Sequence, residues 1–182
     1  MTSFLINMGN TSFSSHFLPE EDRIALAFQK QTDIKPPPIL LTRRMVKQLG
    51  RYLRHFIEQN TTLPESVSAE DRGDVLQFMH QSELETNQPT MSSGRSKEKS
   101  ESLKTAKLVT KVDIQTAKDA VKFLCYKQQT HLVSFTLGWQ EMHSLLFSLA
   151  ELSQKAEWRL EDVFDWSGRA VNAKEEGKRL WM

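Results

Sequence analysis

The chain of 182 residues has one cysteine, seven glycines and six prolines, and it contains no long hydrophobic run. Each shortage excludes something. A single thiol, Cys125, cannot close an internal disulfide, so no disulfide framework holds the chain together. The glycines are scattered singly, which leaves no cradle for phosphate: neither GxxxxGK[ST] nor a GxGxxG following a strand occurs. Charge of one sign is not in excess, 24 Lys+Arg standing against 23 Asp+Glu, so there is no global pull toward nucleic acid or anionic lipid. The most apolar stretch, Leu145 to Ala150, is broken by Ser148 and falls far short of the roughly 20 residues needed to cross a bilayer. The first residues, Met1 to Asn7, carry the short apolar run Phe4-Leu5-Ile6 with no basic residue before it, so no secretory leader is expected. The sequons at Asn10 and Asn60 are then chance matches, and the expected location is cytoplasmic, with no membrane partner.

Catalytic signatures are missing as well. HExxH and GxSxG do not occur. His16, His55, His80, His131 and His143 stand apart, with no CxxC to help them gather a metal. One nucleophilic pairing is conceivable, Cys125 facing His131 across two strands. A lone cysteine among Val121, Phe123 and Tyr126 reads instead as a small core residue. Carboxylates such as Glu161 and Asp162 read as a solvated surface of the tail. No catalytic residue, metal or cofactor is expected, and the chain reads as a non-enzyme.

What is present is a compositional boundary and a repeat. Hydrophobic residues make up 38% of the chain and charged ones 26%, an excess of polarity that points to an unpacked part. That part is Thr86 to Ser100, TNQPTMSSGRSKEKS, which has no Leu, Ile, Val or aromatic residue to offset the entropy of ordering and reads as a disordered linker. Before it, Val75, Leu76, Phe78 and Met79 suit one short helix, with Asp74 as its cap.

On either side of the linker the pattern repeats. The first block offers Phe4-Leu5-Ile6, a polar loop, the strand Arg23–Lys30, the breaker Pro36-Pro37-Pro38, the strand Ile39–Leu41 and a helix from Arg43. The second offers strands at Leu108–Val112, Val121–Lys127 and His131–Leu137, then a helix from Trp139. Leu41, Val46, Leu49, Leu53 and Phe56 align with Leu137, Met142, Leu145, Leu149 and Leu152, each 96 positions on. The spacing 46, 49, 53, 56 places apolar side chains on one helical face, with Thr42 at the capping position and Gly138 at its counterpart.

The expectation is therefore an α+β fold. A tandem β-β-β-α unit forms a pseudo-symmetric antiparallel sheet with two main helices and a helical, Trp-rich tail. Residues 1–60 form the first unit, 61–106 an acidic segment and linker, 107–157 the second unit and 158–182 the tail. Each unit alone is too small to bury a sufficient core, so the two are expected to pack as one domain.

The passage IALAFQK, an apolar strand ending in LT and the helix RRMVKQLGRYLRHF resembles the small enterobacterial YjeJ-like proteins. That family is of unknown function. The resemblance implies a bacterial or prophage origin and carries over no site residues.

Two features remain as candidate binding surfaces. On the first helix, Arg44, Lys47, Arg51 and Arg54 follow three- and four-residue steps and form a cationic stripe opposite the apolar face; the second helix has Gln140, His143, Phe147 and Ala150 there. The aromatic candidates are Trp166 and Trp181 of the tail and Tyr126, which alternates with Lys122 on a strand. Together these point to a macromolecular binder, with a protein as first choice of partner, in a regulatory or adaptor role. Single-stranded nucleic acid on the basic stripe and an aromatic sheet face is the alternative. Homo-oligomerisation is open.

Overall fold

The computed structural model describes residues 3–8, 11–30, 36–86, 90–92, 105–117 and 120–166. In chain order its elements are β1 (Ser3–Met8), β2 (Thr11–Leu18), β3 (Arg23–Lys30), β4 (Ile39–Leu41), α1 (Arg43–Asn60), α2 (Arg72–Thr86), β5 (Thr90–Ser92), β6 (Lys107–Leu108), β7 (Lys111–Thr116), β8 (Ala120–Lys127), β9 (Thr130–Gly138), α3 (Trp139–Lys155) and the single-turn α4 (Glu161–Phe164). The class is α+β.

The strands form two sheets rather than one. The larger has the order β5-β1-β2-β3-β4-β6 and the smaller β7-β8-β9. Neighbours are antiparallel except β4 and β6, which run parallel. A parallel pair requires a long crossover, and here the chain passes through α1, α2 and β5 between the two strands. β6 and β7 are two ends of one bent segment. Lys107 and Val109 donate their amides to Pro38 and Leu40 in the large sheet, whereas Thr110 donates to Tyr126 in the small one. The second sheet thus grows from the edge of the first.

Two expectations need correction. The stretch after Phe4-Leu5-Ile6 is not a polar loop but the strand β2, paired on both sides, with Phe13 opposite Phe28 and Phe17 opposite Ile24. Its serines hid it: Ser14, Ser15 and His16 are all buried, because a strand inside a covered sheet has no wet face. Second, Thr90–Ser92, inside the proposed linker, pairs with β1 as β5. The rest of that linker lies outside the described residues.

One core serves both sheets and the helices. Phe13 and Phe28 of the large sheet meet Phe135 of the small one, with ring centroids 6.4 and 4.9 Å apart, and Phe135 stacks on Phe123 at 5.2 Å. Val46, Leu49, Leu53 and Ile57 on α1, and Met142, Leu145, Leu149 and Leu152 on α3, join the same cluster. Thr42 caps α1, its hydroxyl oxygen accepting from the Met45 amide at 3.2 Å. Gly138 begins α3 without a side-chain cap, and Glu141 supplies the negative charge in the first turn.

The second strands pair with their third strands in the same register. Ile24 opposes Leu41 and Leu26 opposes Ile39; in the small sheet Val121 opposes Leu137 and Phe123 opposes Phe135. The β3 and β8 positions are 97 residues apart, and the β4 and β9 positions 96 apart, the same shift that aligns the helices. The strand preceding each pair is β2 in one half and β7 in the other, and among the described residues β1 has no equivalent pairing in the small sheet.

After α3 the chain folds back. Trp158 is buried, edge-on to Phe17, and its indole donates to Asp22 at 2.6 Å. Val163 and Phe164 of α4 then settle on α1 at Gly50, where a β-carbon would come within 2.8 Å of Val163 and 2.7 Å of Phe164. Glycine costs a helix interior about 1 kcal/mol relative to alanine. Here it is what lets α4 approach.

Candidate functional site

The cationic stripe forms as its spacing predicts, but most of it is spoken for. Lys47 and Arg51 place their charges 3.9 and 3.6 Å from the Asp162 carboxylate on α4. Arg54 pairs with Glu58 at 2.7 Å and donates to the Asp162 backbone carbonyl at 3.2 Å. Asp162 is therefore not idle surface: it faces three of the four stripe residues. The stripe's C-terminal part is a seat for α4.

Arg44 is different. It is exposed, as is its neighbour Arg43, and neither has an acidic partner among the described residues. Two cations in the first turn of a helix also oppose the helix dipole, and α1 has no acid there to offset them. α2, α3 and α4 all carry an acid in their first turn.

Arg44 stands at the rim of a groove of about 420 Å³ between the start of α1 and β7. Met45, Gln48 and Leu49 form the helix side, Val112 and Ile114 the strand side, and Thr110 and Lys111 close one end. Leu49 is buried, while Met45, Val112 and Ile114 are half-buried, so the floor is apolar and partly wet. Lys111 shares its charge with Asp113 at 2.8 Å and lies 5.2 Å from the centre of the Tyr126 ring; the Asp113 hydrogen bond raises its pKa. On the strand side the sequence marked Val112 only as the end of an expected strand and did not mark Ile114, because β7 alternates weakly and its role depends on lying at a sheet edge.

The aromatic candidates separate. Trp166 is buried and meets His80 edge-on at 4.8 Å, so it belongs to the interior and not to a contact surface. Tyr126 is half-buried on the outer face of the small sheet, with Lys111 over its ring and His131 against its edge at 5.5 Å. Trp181 lies outside the described residues.

Cys125 and His131 do not face each other. Cys125 opposes Val133 and turns inward, whereas His131 opposes Tyr126. Burial pushes the Cys125 thiol up to about 12, far from the thiolate a nucleophile needs.

One cluster had no sequence signal. His80 of α2 and His143 of α3 are both buried, their Nδ1 atoms 2.7 Å apart and their rings stacked at 5.0 Å. Trp139 meets His143 edge-on, and its indole donates to Glu83. Burial lowers His80 to about 4, and burial together with the neighbouring ring lowers His143 to about 3. The Nε2 of His143 is buried without a hydrogen-bond partner among the described residues. Residues 63 apart in sequence give no periodic cue. Among the described residues no three His, Cys, Asp or Glu side chains gather as metal ligands, and no helix is long and apolar enough to cross a membrane.

The chain matches no family model, no curated protein and no solved structure.

Proposed function

We propose that this chain works by binding a protein partner, in a regulatory or adaptor role and without chemistry of its own. The observation that carries this reading is the division of the α1 stripe. Lys47, Arg51 and Arg54 are occupied by Asp162 and Glu58, while Arg43 and Arg44 have no acidic partner among the described residues and Arg44 lines an open groove. Unpaired charge next to half-buried apolar side chains is the composition of a protein-contact surface with its rim. The contact surface on α1 is thus the groove at its start, not the middle of the stripe.

The experiment is capture on immobilised full-length chain after nuclease treatment, run in parallel with Arg44→Glu and Arg51→Glu. The reading expects a nuclease-resistant protein that is lost with Arg44→Glu and kept with Arg51→Glu. Identical capture by both variants would remove the groove from the reading.

A second reading is supported by the outer face of the small sheet, where exposed Lys122 and half-buried Tyr126 share a side. Single-stranded nucleic acid would stack there and pair its phosphates with Lys111 and Lys122. It requires oligonucleotide affinity that falls steeply with salt. No binding at low salt ends it.

The fold reading extends the same way. We read the molecule as a tandem duplication, supported by the matched registers of β3–β4 and β8–β9 and by the helix positions 46, 49 and 53 recurring at 142, 145 and 149. A reduced, buried Cys125 fits a cytoplasmic setting, and the YjeJ-like resemblance supports a bacterial or prophage source.

A further inference from the structure

The wall of the groove is a strand with an unused side. Among the described residues β7 pairs with β8 and with no other strand, so within them it is the edge of the small sheet. Ala117 donates its amide to Ala120 at 2.8 Å, and counting back in twos along the register, Asp113 and Gln115 spend their backbone groups on β8 as well. The backbone N–H and C=O groups of Ile114 and Thr116 therefore point away from β8. Such an edge pairs readily with another extended chain. The bend at Val109–Thr110 and the exposed Lys111–Asp113 pair shorten it, which disfavours stacking of whole sheets but leaves room for a peptide.

The opposite wall supplies the rest. Met45 and Leu49 lie one turn apart on α1, facing Val112 and Ile114 across the groove. A strand laid along β7 points every second side chain to one face, so its alternate residues would enter this apolar floor. Residues near the start of α1 meet Arg43 and Arg44, which lack acidic partners among the described residues. The charge that complements them is negative.

Resting on the protein-binding reading above, we propose that β7 accepts an extended acidic segment of the partner as an added strand. Its alternate aliphatic side chains lie between α1 and β7, and its carboxylates face Arg43 and Arg44. Main-chain hydrogen bonds to Ile114 and Thr116 supply affinity, while the apolar floor and the two arginines supply selectivity.

The test uses the full chain and an array of capped peptides of about eight residues, in which glutamate or aspartate alternates with valine, isoleucine, leucine or phenylalanine. Binding is read by fluorescence polarisation. The expected result is binding by a subset of these peptides and not by their lysine-for-acid counterparts. Arg44→Glu weakens it about tenfold or more. Filling the groove by Gln48→Trp abolishes it, with circular dichroism and the unfolding midpoint unchanged. Methylating the alternate peptide amides that face β7 weakens it by about tenfold as well, since each methylated amide loses its hydrogen bond to the strand. No peptide binding below about millimolar concentration, or binding indifferent to Gln48→Trp and to amide methylation, overturns the added strand. If a partner protein is still captured in an Arg44-dependent way, the protein-binding reading stands while the strand mode falls. If capture survives both Arg44→Glu and Gln48→Trp, both fall.

Discussion

α1 and α3 follow equivalent strands and bury equivalent positions, yet one is wet and the other is wrapped. α1 carries Lys47, Gly50, Arg51 and Arg54 where α3 carries His143, Leu146, Phe147 and Ala150. The difference follows from what lies over each helix. α3 is packed against α1, α2, α4 and both sheets, so even its polar residues His143, Ser144, Ser148 and Ser153 are buried. Among the described residues, α1 is covered on its outer side by the single turn of α4. The charge asymmetry between the helices therefore needs no ligand to explain it: cations could not be kept where α2 sits. What packing leaves unexplained is the front end of α1, where Arg43 and Arg44 face no acid among the described residues.

The largest expected effect tests the wrapped helix. Above pH 6.5 His80 and His143 are neutral whether the chain is folded or not, so they add nothing to the pH dependence there. Below 6.5 the unfolded chain takes up protons that the folded pair, lowered to about 4 and about 3, refuses. Stability is therefore full above 6.5 and falls as pH drops toward 4, by roughly 3 kcal/mol per ring. Urea midpoints measured from pH 7 to 4 should decline, and a His80→Phe/His143→Phe chain should decline less. Equal slopes would mean that the rings are hydrated, and α3 would be less enclosed than described.

The next pair asks whether the two helices seal one core. Leu53 and Leu149 are each fully buried at equivalent positions. Leu53→Ala and Leu149→Ala should each cost about 3 kcal/mol in a single cooperative urea transition. Two separate transitions, or a negligible cost at one site, would break the equivalence. A smaller effect concerns the α4 seat. Asp162→Ala removes partly exposed pairings to Lys47 and Arg51, and should cost about 1 kcal/mol or less, shrinking further in high salt. The smallest is Gln48→Trp, an exposed groove position, where the stability change should stay within about 0.5 kcal/mol.

Much of this was readable in the residues. The 46, 49, 53 spacing marked the buried face of α1, and its repetition 96 positions on marked that of α3, because helical periodicity survives whatever covers the opposite side. β8 was legible for a related reason: its small sheet keeps one face toward solvent, so Val121, Phe123 and Cys125 alternate with more exposed neighbours. β2 was not, since a strand buried on both faces does not alternate, and Ser14 and Ser15 looked like loop. The site was legible only in part. The stripe could be counted from i, i+3 and i+4 steps. That Asp162 neutralises it, that Trp166 lies inside, and that β7 presents an edge beside Arg44 all depend on contacts between residues far apart in sequence.

The central claim is that the two ends of the α1 stripe differ, its front end binding a partner and its rear end holding α4. The direct measurement is partner capture by the intact chain, Gln48→Trp and Arg51→Glu compared side by side under nuclease treatment, with folding of each checked by circular dichroism. The account predicts loss with Gln48→Trp and retention with Arg51→Glu. Retention with Gln48→Trp and loss with Arg51→Glu would contradict it.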